Sequence, residues 1–554
     1  MIDSIQALSV VLILGITIVA AKLIAPYITR VFKREHSRFD KILNPIENFI
    51  YKITGVDTLQ VMGWKQYFLS GLFANIAMMI IGFLILVFQD KLPLNPMGFA
   101  GLHPDLAFMQ VASFVTNTDL QHYSGETSFS YLSQIGVLQW MMFTSAITGL
   151  CMGIAFIRGL VAGSKDMGNF YVDFTRSITR IFLPLSTLGA VIFLALGVPQ
   201  TLNGYTVLKT IEGAAQTIFV GPVASLDSIM QIGTNGGGYY GANAAYPFMN
   251  PSPYTNILLI SFMLLLPTAL IFVFGEMIGK KSESRPLLWG AYILFGANLV
   301  IAFVPTLPLV ASGIETRFGG FMSSFYTVTT TAATTGSLNS ALLGNHPLTV
   351  LSGFLGMFMQ AIPGGKGIGL MYMVMFVILT VFIVGLMSGR TPEYLDMKIT
   401  GNDVKLVMIA FLIHPMIILI PTVLSYATGA AAAIGIGGSS VGYTQILYEF
   451  TSAAANNGSD FLGASGNTPF FNIATAIVIL IGRFVPLAIL LALSGSMIGR
   501  KRGNTTSGLK TDNIVFTIVL VAAIVILVVL SFFPFLAIGP ISSFFKGLVN
   551  GFGH

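Results

Sequence analysis

Ten stretches of this chain are too apolar and too long to belong anywhere but in a lipid bilayer. They run over roughly 5–28, 66–89, 131–157, 178–198, 254–278, 287–309, 347–388, 404–427, 470–498 and 512–536. A helix of about 20 apolar residues crosses a hydrocarbon core of about 30 Å. Only 9% of the 554 residues are charged, against about 25% in an average soluble protein, and no loop is long enough to hold a soluble domain. The longest polar connection is the 158–177 region. The seventh apolar stretch is too long for one span and contains Pro363-Gly364-Gly365-Lys366-Gly367-Ile368-Gly369. Proline and clustered glycine break a helix. Broken backbone at membrane depth is tolerated only where protein buries it or where it lines a cavity.

The basic residues sort by loop. Seven lie between Arg30 and Lys65, and others fall at Arg158, Lys165 and Arg176, at Lys280, Lys281 and Arg285, at Arg390 and Lys398, and at Arg500, Lys501, Arg502 and Lys510. The opposite loops hold only Lys91, Lys209, Arg317 and the tail residue Lys546. Positive charge favours the cytoplasmic side, so the assignment is consistent over every span and places both termini outside. The net charge of +6 therefore reflects membrane topology, not nucleic-acid binding. The basic residues follow the first apolar run instead of preceding it, which indicates an uncleaved span. The single cysteine, Cys151, permits neither an internal disulfide nor a zinc cluster.

Four short polar segments share a local grammar on the outer side: Thr116-Asn117-Thr118-Asp119, Gly233-Thr234-Asn235-Gly236, Ala333-Thr334-Thr335-Gly336 and Ala455-Asn456-Asn457-Gly458. Two Thr or Asn residues precede a position that is Gly in three of the four. That position falls at 119, 236, 336 and 458, at intervals of 117, 100 and 122 residues. Each follows a stretch too short to span, at about 104–115, 222–232, 319–332 and 443–455. His103-Pro104-Asp105 and Gly221-Pro222 offer proline at a first helical turn. One unit of helix, pore helix, polar loop and helix used four times accounts for this.

The expected fold is an all-α polytopic membrane protein with about ten transmembrane helices, its four pseudo-repeats surrounding one pore. The expected units are 61–160, 161–283, 284–400 and 401–503. An extra N-terminal span with its basic cytoplasmic loop occupies 1–60, and an extra C-terminal span occupies 504–554.

The chemistry of such loops is cation dehydration. An ion that sheds its water needs oxygen ligands, and carbonyls from four loops can supply them. Glycine permits the positive φ that turns carbonyls inward, and the pore-helix C-termini aim partial negative charge at a central cation. Few carboxylates are present, which favours K+ over Ca2+, whose sites use several. Asp119 is the exception and has two readings, a cation-attracting carboxylate at the mouth or an ordinary loop residue. Arg483, within the ninth span, is either a buried structural ion pair or a positive charge facing the pore below the filter. Lys366 acts alike or snorkels to an interface. Glu449 anchors the fourth pore helix.

The stretches Ser113–Thr118, Gly233–Gly238, Thr331–Gly336 and Thr451–Ser459, with Gly389-Arg390-Thr391-Pro392-Glu393-Tyr394-Leu395, resemble the potassium-translocating A subunits of Kdp-type potassium pumps. These belong to the superfamily of potassium transporters that includes Trk and Ktr. The resemblance covers essentially the whole chain. It implies K+ as the transported ion and no organic cofactor. It also implies a P-type ATPase partner, the catalytic B subunit, together with a C subunit and a small F subunit, all in a bacterial plasma membrane. It assigns Asn117, Thr234, Asn235, Gly236, Gly336, Asn456 and Gly458 to the filter, with Thr118, Asp119, Thr334, Thr335 and Asn457 beside them in the same loops. It matches Gly364, Gly365, Gly367 and Gly369 to a gating loop and Arg483 to an arginine near the exit toward the ATPase partner. Lys366 departs from the apolar residue expected of that loop, and Asp119 from an expected Asn.

The chain carries neither a Gly-x-x-x-x-Gly-Lys-Ser/Thr phosphate loop nor an Asp-Lys-Thr-Gly-Thr phosphorylation motif. Energy must then come from a partner, or the pore is passive, as in a stand-alone K+ channel or a Trk/Ktr-like symporter. A different class, an intramembrane serine protease, would use Ser465 in Gly463-Ala464-Ser465-Gly466 with His414 as base.

Overall fold

The structure, a computed structural model, describes residues 4–161, 163–304, 317–500 and 510–550. Among the described residues, ten helices are long and apolar enough to cross a membrane. They include α1 (Ser4–Lys33), α3 (Trp64–Val87), α5 (Tyr131–Leu160) and α6 (Phe170–Ala195). Helix α2 (Asp40–Thr54) lies in the first basic loop, and α4 (Pro104–Val115) is the first of four short buried helices. A hairpin of β1 (Thr206–Lys209) and β2 (Ala215–Ile218) precedes the second, α7 (Val223–Ile232). Then come α8 (Pro253–Met277), α9 (Ser284–Phe303), the short α10 (Gly319–Ala332), α11 (Pro347–Met359) and α12 (Ile368–Met387). The chain closes with α13 (Gly401–Ala427), the short α14 (Ser440–Ala454), α15 (Pro469–Met497) and α16 (Ile514–Leu536).

The seventh apolar stretch is broken as its glycines require, into α11 and α12. Pro104 takes the first helical turn of α4. Pro222 instead stands just before α7, whose first turn begins at Val223. Two connections hold more structure than a tally of their charges suggests. The 158–177 region turns helical at Phe170, because the Asn169 side chain accepts hydrogen bonds from the Tyr171 and Val172 amides and so caps α6. The first basic loop contains α2. Ile42, Ile46, Phe49 and Ile53 form its exposed stripe at helical spacing, while Glu47 and Tyr51 face inward. Gly55, at φ 67, ends it with an amide bond back to Tyr51.

Lipid gives no hydrophobic reward for helix association, so close packing must supply it. Helices α1, α3 and α16 turn much of their apolar surface outward, whereas α5 is enclosed nearly all round. The glycines of α5 make that enclosure possible. A Cβ on Gly153 would stand 2.6 Å from Gly367 Cα, and one on Gly159 would stand 2.7 Å from the Ser494 carbonyl oxygen. Backbone there meets backbone.

Arg180 locks α2, in the first basic loop, onto α6. Its Nε donates to Glu47 Oε1 at 2.6 Å, its Nη1 to Asp40 Oδ1 at 2.6 Å and its Nη2 to Asn44 Oδ1 at 2.7 Å. Arg180 and Glu47 are both buried. Removing one partner of a buried pair leaves the other uncompensated. Arg180→Met should lower stability by roughly 3 kcal/mol, the low end of that range, because Arg176 remains 3.6 Å from Glu47. The thermal midpoint in detergent reads this, and an unchanged midpoint refutes it. Asp40 lies outside the spans, and the Arg180 bond holds its carboxyl down to about 2. Its share of stability is whole above the ordinary aspartate value of about 3.9 and is lost as pH falls through about 2. Asp40→Asn should remove that acid dependence.

Candidate ion filter

The four short helices end in one and the same turn. Thr118 N donates to Ser113 O at 3.0 Å, Asn235 N to Met230 O at 2.8 Å, Thr335 N to Thr330 O at 2.8 Å and Asn457 N to Ser452 O at 2.9 Å. The residue before each donor takes a positive φ: Asn117 at 69, Thr234 at 45, Thr334 at 45 and Asn456 at 50. For a β-branched threonine this conformation is a genuine outlier, and such strain persists only where surroundings impose it. Repetition in four places, with different side chains, identifies the turn as built for a shared purpose.

Glycine at the next position serves two needs. Gly336 and Gly458 stand at φ 98 and 97, a region open to glycine without cost. Gly236 is needed for room: a Cβ there would run into Thr118 O and lie 2.6 Å from Gly458 Cα and 2.8 Å from Asn457 O. A Cβ on Gly458 would likewise strike Thr118 O, and one on Gly336 would strike Asn457 O. The loops therefore converge on one another, backbone to backbone. Asp119 takes φ 57 in place of the glycine.

Side-chain amides close the ring. Asn117 Nδ2 donates to Thr234 O at 2.6 Å, joining the first loop to the second. Gln231 Nε2 reaches Ser337 Oγ at 3.2 Å, joining second to third. Asn457 Nδ2 donates to Thr330 O at 3.0 Å, joining fourth to third, and Asn456 Nδ2 to Thr118 Oγ1 at 2.9 Å, joining fourth to first. All four neighbouring pairs are tied. Oxygens remain over. Asp119 Oδ1 and Oδ2, Asn235 Oδ1 and Thr335 Oγ1 are buried without a hydrogen-bond partner. Among the described residues, the carbonyls of Thr118 and Asn457 also accept no hydrogen bond. A dehydrated monovalent cation is what such a set can hold. Among the described residues no three His, Cys, Asp or Glu side chains gather as a metal site.

Against the ring lies the break between α11 and α12. Gly364 N donates to Ala332 O at 3.0 Å, and a Cβ on Gly365 would collide with Thr334 Oγ1. Gly364 and Gly367 stand at φ 76 and 84, and Gly369 packs on the Pro363 and Gly364 backbone. Lys366 is 2% exposed and does not snorkel. Its Nζ donates to Asn117 Oδ1 at 3.0 Å and Thr234 Oγ1 at 3.0 Å. Arg483, also buried, donates from Nη2 to the Ser145 carbonyl at 3.4 Å and, among the described residues, to no carboxylate. Gly149 of α5 leaves room for both, since a Cβ there would stand 2.5 Å from Arg483 Nη2 and 3.1 Å from Lys366 O.

Several supporting residues escape a reading of the loops alone. Gln121 pairs reciprocally with Gly238, donating to its carbonyl at 2.9 Å and accepting from its amide at 3.2 Å. His122 Nε2 lies 3.0 Å from Glu449 Oε1, tying the first loop to α14. Tyr326 and Tyr448 each meet a serine eleven residues on, Ser337 and Ser459, at 2.9 Å. That matched Tyr–Ser spacing in the third and fourth repeats is the signal the sequence offers for them. The protease pair does not form: Gln360 Nε2, not Ser465, faces His414 Nδ1, at 3.0 Å, and Ser465 sits in a short turn of helix after the fourth loop.

A family model described as the potassium-transporting ATPase A subunit matches residues 11–545. The chain is 42% identical to a protein of Caldanaerobacter subterraneus subsp. tengcongensis, over 96% of this chain and 98% of that one. It is 44% identical to one of Alicyclobacillus acidocaldarius, over 93% and 94%. Both are named potassium-transporting ATPase potassium-binding subunits. Among solved structures, the potassium transporter TrkH of Vibrio parahaemolyticus matches with a TM-score of 0.52 at 15% identity, over 89% of this chain and 100% of that one, a likeness of fold. With its ten spans and four repeated helix ends, the chain belongs to the potassium-transporting ATPase A subunit family.

Proposed function

We propose that this chain is the potassium-binding and translocating subunit of an ATP-driven potassium uptake pump in a bacterial plasma membrane. The closed ring of four like turns carries the reading. The ion-binding residues are Asn117, Thr118 and Asp119, Thr234, Asn235 and Gly236, Thr334, Thr335 and Gly336, and Asn456, Asn457 and Gly458. Potassium sheds its water against oxygens already fixed in place by cross-loop amide bonds. Pre-positioned oxygens spare the ion the cost of assembling its own cage. The distribution of basic loops supports a filter facing outside with both termini outside. The four pore units are 61–160, 161–283, 284–400 and 401–503, with the first and last spans as additions.

The ATPase is a partner. The relatives' names point to a potassium-transporting ATPase, and this chain has no phosphate loop or phosphorylation motif. By resemblance, the catalytic B, the C and the small F components complete the assembly. The break at 360–367 limits passage, and the ion leaves past Arg483 toward the ATPase partner. No observation favours a stand-alone channel, a symporter or a protease.

The filter is tested in the full pump complex with Gly236→Ala. The Cβ meets backbone, which cannot swing aside, so half-saturating K+ for ATP hydrolysis should rise at least about tenfold. Gly296→Ala, where a Cβ meets nothing within 4 Å, is the control and should behave as wild type. Unchanged uptake at limiting K+ in Gly236→Ala would remove that loop from the ion path. Purified alone into liposomes, the chain should fail to accumulate K+ against a gradient, and uphill uptake without an ATPase would overturn the pump assignment.

A further inference from the structure

Lys366 is the one amine buried against the ring among the described residues. Its Nζ takes oxygens from two different loops, Asn117 Oδ1 and Thr234 Oγ1, while its own backbone is anchored to the third repeat through Gly364 and Ala332. The lysine thus bridges three of the four units. An alkylammonium is a compact point charge that seeks oxygen, the side-chain group nearest to K+ in charge and in choice of neighbours. Burial is the largest influence on it; after burial, Arg483 repels it and Asp119 attracts it. The carboxylate oxygens of Asp119 have no hydrogen-bond partner.

We infer that Lys366 is a tethered cation that occupies the inner oxygens of the filter and must be displaced by each passing potassium ion. The inference rests on the filter reading above. Two cations cannot share the Asn117 and Thr234 oxygens, because like charges at contact distance in a water-poor interior repel strongly. A potassium ion descending from the ring therefore competes with the ammonium. When it wins, the side chain withdraws from those oxygens by rotation about the bonds of its own flexible stem. When no ion arrives, the ammonium stays and blocks flow in either direction. A pump that concentrates its substrate needs such a stop, since an open filter would drain the gradient that ATP builds.

The test uses the full pump complex in liposomes, with Lys366→Met, Lys366→Gln and Lys366→Arg. Two quantities are read: ATP-independent rubidium flux down its gradient, and the K+ concentration that half-saturates ATP hydrolysis. Losing the competing charge in Met or Gln should raise the passive flux about tenfold and lower half-saturating K+ by a similar factor. Lys366→Arg, which keeps the charge, should remain tight. Wild-type flux and K+ dependence in Met and Gln would overturn the inference. If only Lys366→Arg assembles, the charge serves the fold and the inference also falls. The two readings separate cleanly. A Gly236→Ala complex with wild-type K+ dependence removes the filter and the lysine's role together, whereas an impaired Gly236→Ala beside a wild-type-like Lys366→Met removes the lysine's role alone.

Discussion

Backbone that leaves a helix inside a bilayer has no water to satisfy it. The four polar loops leave their helices inside the protein, buried from solvent, and the fold answers by making each loop the partner of its neighbours. Asn117, Gln231, Asn456 and Asn457 direct their amide hydrogens sideways, onto the next loop. What the ring does not satisfy is mainly oxygen: the carbonyls of Thr118 and Asn457 and the side-chain oxygens of Asp119, Asn235 and Thr335. Leaving buried oxygens unmet is costly, and a cation coordinated by them would meet them.

The same closeness explains the glycines. A side chain at 236, 336 or 458 would fill the space where the loops approach one another. Behind the ring, Gly149 and Gly153 let α5 sit close to Arg483 and to the backbone of the 360–367 break. Small residues in α5 therefore serve both helix packing in lipid and the placement of two basic side chains beside the ring of turns.

Much of this is legible in the sequence. The spans follow from length and apolarity, and the break follows from Pro363 and the glycines after it. The register of the four loops at 119, 236, 336 and 458 is the register of the repeated turn, because glycine marks positions where backbone needs φ > 0 or space. Local propensity cannot say that Thr234 and Thr334 take positive φ, since tertiary contacts impose that strain. Nor can it pair Asn456 with Thr118 across 338 residues. Helix α2 hides behind its lysines, which read as loop charge until the spacing of Ile42, Ile46, Phe49 and Ile53 is considered. For Lys366 the difficulty is direction. A four-carbon stem can carry an ammonium to an interface or inward, and only the packing against Thr234 and Asn117 decides between them.

The charges around the ring argue for a monovalent ion on grounds independent of the family. Within the four repeated turns only Asp119 carries a carboxylate, and, after burial itself, Lys366 and Arg483 act on it. A calcium site would bring several carboxylates; here the formal charge of the three groups is already positive. A divalent ion entering that field would meet repulsion from both basic groups with a single anion in compensation. A monovalent ion meets half of that repulsion, and if it displaces the ammonium of Lys366 it replaces one positive charge with another of equal size. The local balance is then the same before and after entry, so the ring can exchange one cation for another without a large electrostatic penalty in either direction.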